Sequence, residues 1–209
     1  MPTRSIREAR IFARRARIDF AQAGAVLPSS RFLARALCRG IDAIPAGERR
    51  ILEVGGGTGA ITREILARLQ KGDRLVVYEI DSHLAAYLVQ SPLVRAAGDR
   101  IEVRCEDIRA LSPDERYDAV IMSLPLHNFE PDVIREIWKT LFFVSAPDGS
   151  ISFFRYAGIP FWRSLTPTVW GRRTREARRT LDKIVKDRVE EMTLIWANTP
   201  PAWAVRVAV

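Results

Sequence analysis

Three acids and a run of glycines stand at the ends of apolar stretches, where a ligand could reach them. Glu53 precedes Gly55, Gly57 and Gly59; Glu79 follows Gly55 by 24 residues; Asp107 lies in Cys105-Glu106-Asp107-Ile108. Glycine at every second position allows backbone torsions and close approach that a Cβ would hinder, so residues 50–60 form a turn suited to hold a ligand. The spacing differs from the G-x-G-x-x-G dinucleotide fingerprint. A carboxylate at the position of Glu79 can accept both hydroxyls of a ribose, with Ile80 against the attached ring. Taken alone, Asp107 reads as a helix N-cap. His127, in Ser123-Leu124-Pro125-Leu126-His127-Asn128, is one of two histidines. Its imidazole titrates near neutrality and can take a proton from a substrate, or it can serve only the loop backbone.

These residues need elements to position them. Ile51, Leu52 and Val54 read as a buried strand, and strands follow at 75–78, 101–104, 117–122 and 151–156. Helical patterns intervene, with Ile61, Ile65, Leu66 and Leu69 on one face of the first and further segments at 82–90 and 131–144. Such alternation predicts a parallel sheet covered by helices on both faces, and places the acids and glycines at its carboxyl edge. The pattern changes at the end of the chain. Strands at 192–197 and 203–209 are joined by Asn198-Thr199-Pro200-Pro201, a link short enough for antiparallel pairing and too short for a crossover. Ahead of the first strand, residues 4–20 gather Ile6, Ala9, Phe12, Ala13, Ala16 and Phe20 on one side of a helix and arginines on the other. Ser29 or Ser30 then caps a helix carrying Phe32, Leu33, Ala36 and Leu37. Residues 157–171, rich in aromatics, read as a loop over the pocket, and 172–188 as a basic helix.

Glu-x-Gly-x-Gly-x-Gly closing a first strand resembles the class I S-adenosylmethionine (SAM) methyltransferases. Gly24-Ala25-Val26-Leu27-Pro28-Ser29-Ser30, the Ser123-Leu124-Pro125-Leu126 segment and Pro147-Asp148-Gly149 resemble the bacterial phospholipid N-methyltransferases more closely. The resemblance implies a Rossmann-like, seven-stranded α/β sheet with a C-terminal β-hairpin and an N-terminal amphipathic helix, in a single domain over 1–209. It implies S-adenosyl-L-methionine as cofactor. Glu53 would then serve the methionine ammonium end, Gly55, Gly57 and Gly59 would line the cofactor, and Glu79 would hold the ribose. Asp107 would take the adenine amino group, Ile80 and Ile108 would lie against the ring, and Ser123 would also bind the cofactor. The implied acceptor is the primary amine of phosphatidylethanolamine or of an ornithine-type aminolipid. Adenine N6-methyltransferases carry Asn or Asp, then Pro-Pro or Leu-Pro, then an aromatic that stacks the flipped base. Ser123 and Leu126 occupy the first and last of those places, which counts against nucleic-acid methylation. A non-catalytic basic module that binds lipid or nucleic acid is a third reading.

Charge bears on the partner. The chain of 209 residues holds 33 Lys and Arg against 25 Asp and Glu, a net +8, so an anionic partner is expected. Arg4, Arg7, Arg10 and Arg14, with Phe12 on the apolar side, suit an anionic membrane surface, where arginines can snorkel. Tyr156 and Trp162 are expected at the substrate or the membrane interface. Cys38 and Cys105 form no C-x-x-C pair and are expected as buried free thiols, and no metal site is legible. No apolar run resembles a signal peptide or a membrane span, and no obligate protein partner is inferred. The expected location is the cytoplasm, peripheral to the inner face of the cell membrane.

Overall fold

The computed structural model describes residues 30–45, 47–157 and 169–209. The predicted basic helix over residues 4–20, with Arg4, Arg7, Arg10, Phe12 and Arg14, lies outside the described residues, as does Trp162.

Seven strands form one sheet in the order β3-β2-β1-β4-β5-β7-β6: Arg50–Val54 (β1), Arg74–Tyr78 (β2), Ile101–Arg104 (β3), Tyr117–Met122 (β4), Ser145–Tyr156 (β5), Val189–Ile195 (β6) and Ala202–Ala208 (β7). β1 pairs in parallel with β2 on one side and β4 on the other, and β4 with β5. Successive strands therefore run outward from β1 to β3, then restart at β4. This reversal opens a crevice over the carboxyl ends of β1 and β4, where open α/β sheets bind ligands. β7 is antiparallel to β6, as their short link requires, and also to β5.

Both faces are covered, which is why the inner strands are apolar almost throughout. On one face Leu52, Val54, Val120 and Met122 meet the stripe Ile134, Ile137, Trp138, Leu141 and Val144 of the helix Pro131–Val144, together with Ala177, Leu181 and Val185 of the helix Val169–Val185. On the other, Ile51, Val77, Ala119 and Ile121 meet Leu33 and Leu37 of Arg31–Leu37 and Ile61 and Ile65 of Ala60–Leu66. Local signals set the helix starts. Ser30 accepts from Leu33 N, Asp81 accepts from His83 N and Leu84 N to open Ser82–Gln90, and Pro131 sits where its missing N–H has no partner to lose. At the opposite edge from the crevice, Arg49 and Asp73 are buried together, Nη2 to Oδ2 at 2.6 Å, and Arg49 also donates to the Ile41 carbonyl. This pair ties the starts of β1 and β2 to the first helices.

Five expectations need correction. The first crossover helix ends at Leu66, where Ala67 and Arg68 tighten into a turn, although Leu69 still packs on the core. β5 begins at Ser145, because Pro147-Asp148-Gly149 makes a bulge between Ser145 and Ser150 that hides the strand pattern. There a Cβ on Gly149 would stand 2.9 Å from the Ala146 carbonyl oxygen. β6 begins at Val189 and stops at Ile195: it is an edge strand whose Glu190 and Glu191 break the apolar pattern, and Trp196 falls in the turn. The basic helix runs from Val169 to Val185, so it takes in the last residues of the predicted aromatic loop. Asp187, at φ 66°, ends it earlier than 188. Finally, Cys38 is buried but Cys105 is exposed, since it follows β3 at the rim of the crevice.

Candidate cofactor and acceptor sites

The chain leaves β1 through Gly55, whose N–H donates to the Tyr78 carbonyl at 2.8 Å and whose φ is +89°. A Cβ at Gly55 would meet Ser123 Oγ at 2.9 Å. Gly57 differs: φ is +52° and a Cβ would enter open space. Glu79 reaches across from the end of β2 and fixes this turn, accepting from Gly57 N at 2.8 Å and from Asp81 N at 2.9 Å. It is only 7% exposed, so it is not a solvated acid at a strand end. Gly56, which sequence reasoning passed over, is a packing residue. Its ideal Cβ would lie 2.6 Å from Val77 Cγ1 and 2.9 Å from Leu88 Cδ2.

Glu53 is fully buried beneath the turn, and neither of its oxygens has a hydrogen-bond partner of regular geometry; the Thr62 hydroxyl nearby is likewise unpartnered. Burial pushes its carboxyl up to about 8, the nearby Thr62 side chain favouring the charged form and the Glu79 charge opposing it. A buried carboxyl without partners costs stability, and a cationic ligand group near it offsets that cost.

Along the crevice, Ile80 and Ile108 line a cleft of about 60 Å³ with Asp107. Asp107 caps the short turn Ile108–Ala110, accepting from Arg109 N at 3.0 Å, and also holds the Arg109 guanidinium, Oδ2 to Nη2 at 2.7 Å. Arg109 in turn reaches Glu136. Asp107 is thus an N-cap, as it reads alone, and its carboxylate stands in the wall of the cleft. Ser123 donates its hydroxyl to Val54 O at 3.2 Å and to Gly55 O, joining the ends of β4 and β1. Leu124 and Phe129 close the same cleft. Their only signal in the sequence was nearness to β4.

The loop 123–129 has a second side. Leu126 and His127, in the turn Leu126–Asn128, line a cavity of about 140 Å³ with Phe154 and Tyr156 of β5, Ala177 and Leu181 of the basic helix, and Trp203 of β7. The His127 and Tyr156 rings meet edge to face, centroids 5.5 Å apart, and Tyr156 packs on Phe154 in the same manner. Burial pushes the Tyr156 phenol up to about 12, so it keeps its proton at neutral pH. The structure thus brings His127 and Tyr156 together, one loop away from the cleft that holds Ile80, Asp107 and Ile108. Among the described residues no cluster of His, Cys, Asp or Glu could hold a metal ion, and no helix is long and apolar enough to cross a membrane.

The residues fit the adenosine and methionine ends of SAM: a cleft flanked by isoleucines and an acid, a buried acid bridging the ends of β1 and β2, and a buried carboxyl beneath the glycine turn. The fold is that of the class I methyltransferases, and these residues suit S-adenosylmethionine as the cofactor. In agreement, residues 51–149 match the family model described as "Methyltransferase domain". An ornithine lipid N-methyltransferase of Singulisphaera acidiphila is 31% identical over 60% of this chain and 66% of its own length. A malonyl-[acyl-carrier protein] O-methyltransferase of Halorhodospira halophila is 32% identical over 59% of this chain and 40% of its own. The match therefore spans less than two thirds of either relative. Among solved structures, the N-methyltransferase NodS from Bradyrhizobium japonicum WM9, in complex with S-adenosyl-L-homocysteine, superposes with a TM-score of 0.61 at 16% identity over 84% of each chain.

Proposed function

We propose that this protein transfers methyl groups from SAM to the primary amine head group of a membrane lipid, phosphatidylethanolamine or an ornithine-type aminolipid. The observation that carries the reading is the second cavity: an aromatic and aliphatic chamber with His127 on its wall, separated from the cofactor cleft by one loop. The ornithine lipid N-methyltransferase relative supports it, and the departures from the adenine motif at Ser123 and Leu126 count against a nucleic-acid acceptor.

SAM supplies an electrophilic methyl group on a sulfonium. The chain must align the acceptor with it and exclude water, which is mostly a matter of positioning. An alkylammonium, with a pKa of about 10 by analogy with lysine, must lose its proton before it can act as a nucleophile. Burial against Leu126, Phe154 and Trp203 disfavours the charged amine. In this reading the His127 imidazole, on the wall of the cavity, receives the proton. The arginine-rich residues 4–17 then hold the protein at an anionic bilayer, at the inner face of the cell membrane. Protein incubated with methyl-labelled SAM is expected to label total bacterial lipid and to leave ribosomal RNA unlabelled. Label in RNA alone would overturn the reading.

A further inference from the structure

Two arginines line the second cavity, Arg155 on β5 and Arg178 on the basic helix. Among the described residues both pair with the same acid, Asp182, which is not part of the cavity wall. Arg155 Nη1 stands 2.9 Å from Oδ1, and Arg178 Nε stands 3.7 Å from Oδ2. The other terminal nitrogen of Arg155 lies 3.3 Å from the Met192 thioether, a weak acceptor. Among the described residues, two guanidinium groups sharing one carboxylate leave a positive charge uncompensated beside a chamber that is otherwise apolar and aromatic. Holding the helix against the strand does not require this, because half-exposed pairs contribute little to stability. A planar guanidinium fork suits a phosphate or carboxylate oxygen pair.

We propose that Arg155 and Arg178 form an anion subsite for the acceptor, a role that rests on the aminolipid reading above. They take the phosphodiester of phosphatidylethanolamine or the carboxylate of an ornithine-type lipid, in either case an anion roughly five or six bonds from the reacting nitrogen. Pinning the anion beside the basic helix leaves the amine to extend toward His127 and the loop that faces the cofactor cleft. The enzyme thereby selects zwitterionic head groups over simple amines, and Asp182 holds the two arginines in place until the acceptor anion takes over part of their pairing.

The test measures kcat/KM in detergent micelles for ornithine lipid and phosphatidylethanolamine, each beside its neutralised counterpart, the carboxylate methyl ester and the phosphate triester. The wild-type protein is expected to prefer an anionic acceptor by about 10- to 100-fold, as a site built for a charged hydrogen-bonding group does. Which pair shows the larger ratio identifies the anion. In the double variant Arg155→Gln, Arg178→Gln the ratio should fall to near one, mainly through KM, while SAM affinity by calorimetry is unchanged. Asp182→Asn, which frees both guanidinium groups, should lower KM for the anionic acceptors. If these pairs serve only to dock the helix, that variant would weaken turnover of charged and neutral acceptors alike. Full discrimination by the double variant, or equal use of charged and neutralised acceptors by the wild type, would overturn the subsite and leave lipid methylation standing. No methylation of any aminolipid would overturn both.

Discussion

Replacing Glu53 by glutamine should stabilise the cofactor-free protein at neutral and alkaline pH and weaken its hold on SAM. Glu53 is completely buried, its oxygens lack regular partners, and burial moves its carboxyl from an ordinary 4.5 to about 8. A carboxyl raised on folding is protonated in the native state while the unfolded chain ionises. Its contribution is therefore most favourable below about pH 4.5 and is lost as pH rises through 8. The full displacement corresponds to about 5 kcal/mol above pH 8, of which roughly 2 to 3 kcal/mol should develop between pH 5 and pH 7. Glutamine does not titrate, so the stability gap between Glu53→Gln and wild type should widen by that amount over the interval. Urea unfolding of both proteins without SAM, at pH 5, 6, 7 and 8, measures the gap directly. Binding supplies the complementary readout. An ionised Glu53 favours the cationic methionine end of SAM, so wild-type affinity should rise from pH 6 to pH 8 with release of a proton, and the variant should show neither. Stability curves that run parallel across this range would refute the argument, and would mean that Glu53 is already ionised in the folded protein.

Gly57→Val should abolish SAM binding with little loss of fold beyond the strain of its positive φ, whereas Gly56→Ala should destabilise by about 1 to 3 kcal/mol because its Cβ meets Val77 and Leu88; calorimetry and chemical denaturation separate the two. Arg49→Met should cost about 3 to 5 kcal/mol by leaving Asp73 buried and unpaired. Burial alone would raise the Asp73 carboxyl, but hydrogen bonds from Arg49 and the backbone hold it below the usual range, so this pair's stabilisation should be present at neutral pH and fade under strong acid, as an acid titration of unfolding in both proteins would report. His127→Ala should slow methyl transfer more near pH 7 than near pH 10, where the amine is already neutral; equal losses would make His127 a positioning residue. Deleting residues 1–20 should release the protein from anionic vesicles in a sedimentation assay and leave SAM affinity unchanged, since each arginine near such a surface contributes about 1 kcal/mol.

How much of this was legible beforehand differs from element to element. Glycines at every second position after Ile51-Leu52-Glu53-Val54 marked the turn, because few other sequences need so many residues without a Cβ at the end of a strand. The acids at 79 and 107 were readable as cleft residues because alternating strands and helices fix which end of each strand meets the ligand. The bulge at 147–149 and the edge strand from Val189 were not readable, since pairing with β4 and β7 creates them and leaves no apolar period in the chain.

The sequence by itself determined the alternation of strands and helices, the terminal antiparallel pair and the glycine turn after the first strand, all of which depend on local periodicity and on conformations that only certain side chains permit. Tertiary structure decided the rest. Only the meeting of β1 and β2 makes Glu79 a buried brace of Gly57, only burial under the turn gives Glu53 its raised pKa, and only the packing of the basic helix over β5 and β7 assembles Arg155, Arg178, His127 and Tyr156 around one cavity. Those properties come from desolvation and from contacts between residues distant in the chain, and neither is encoded in any single stretch of it.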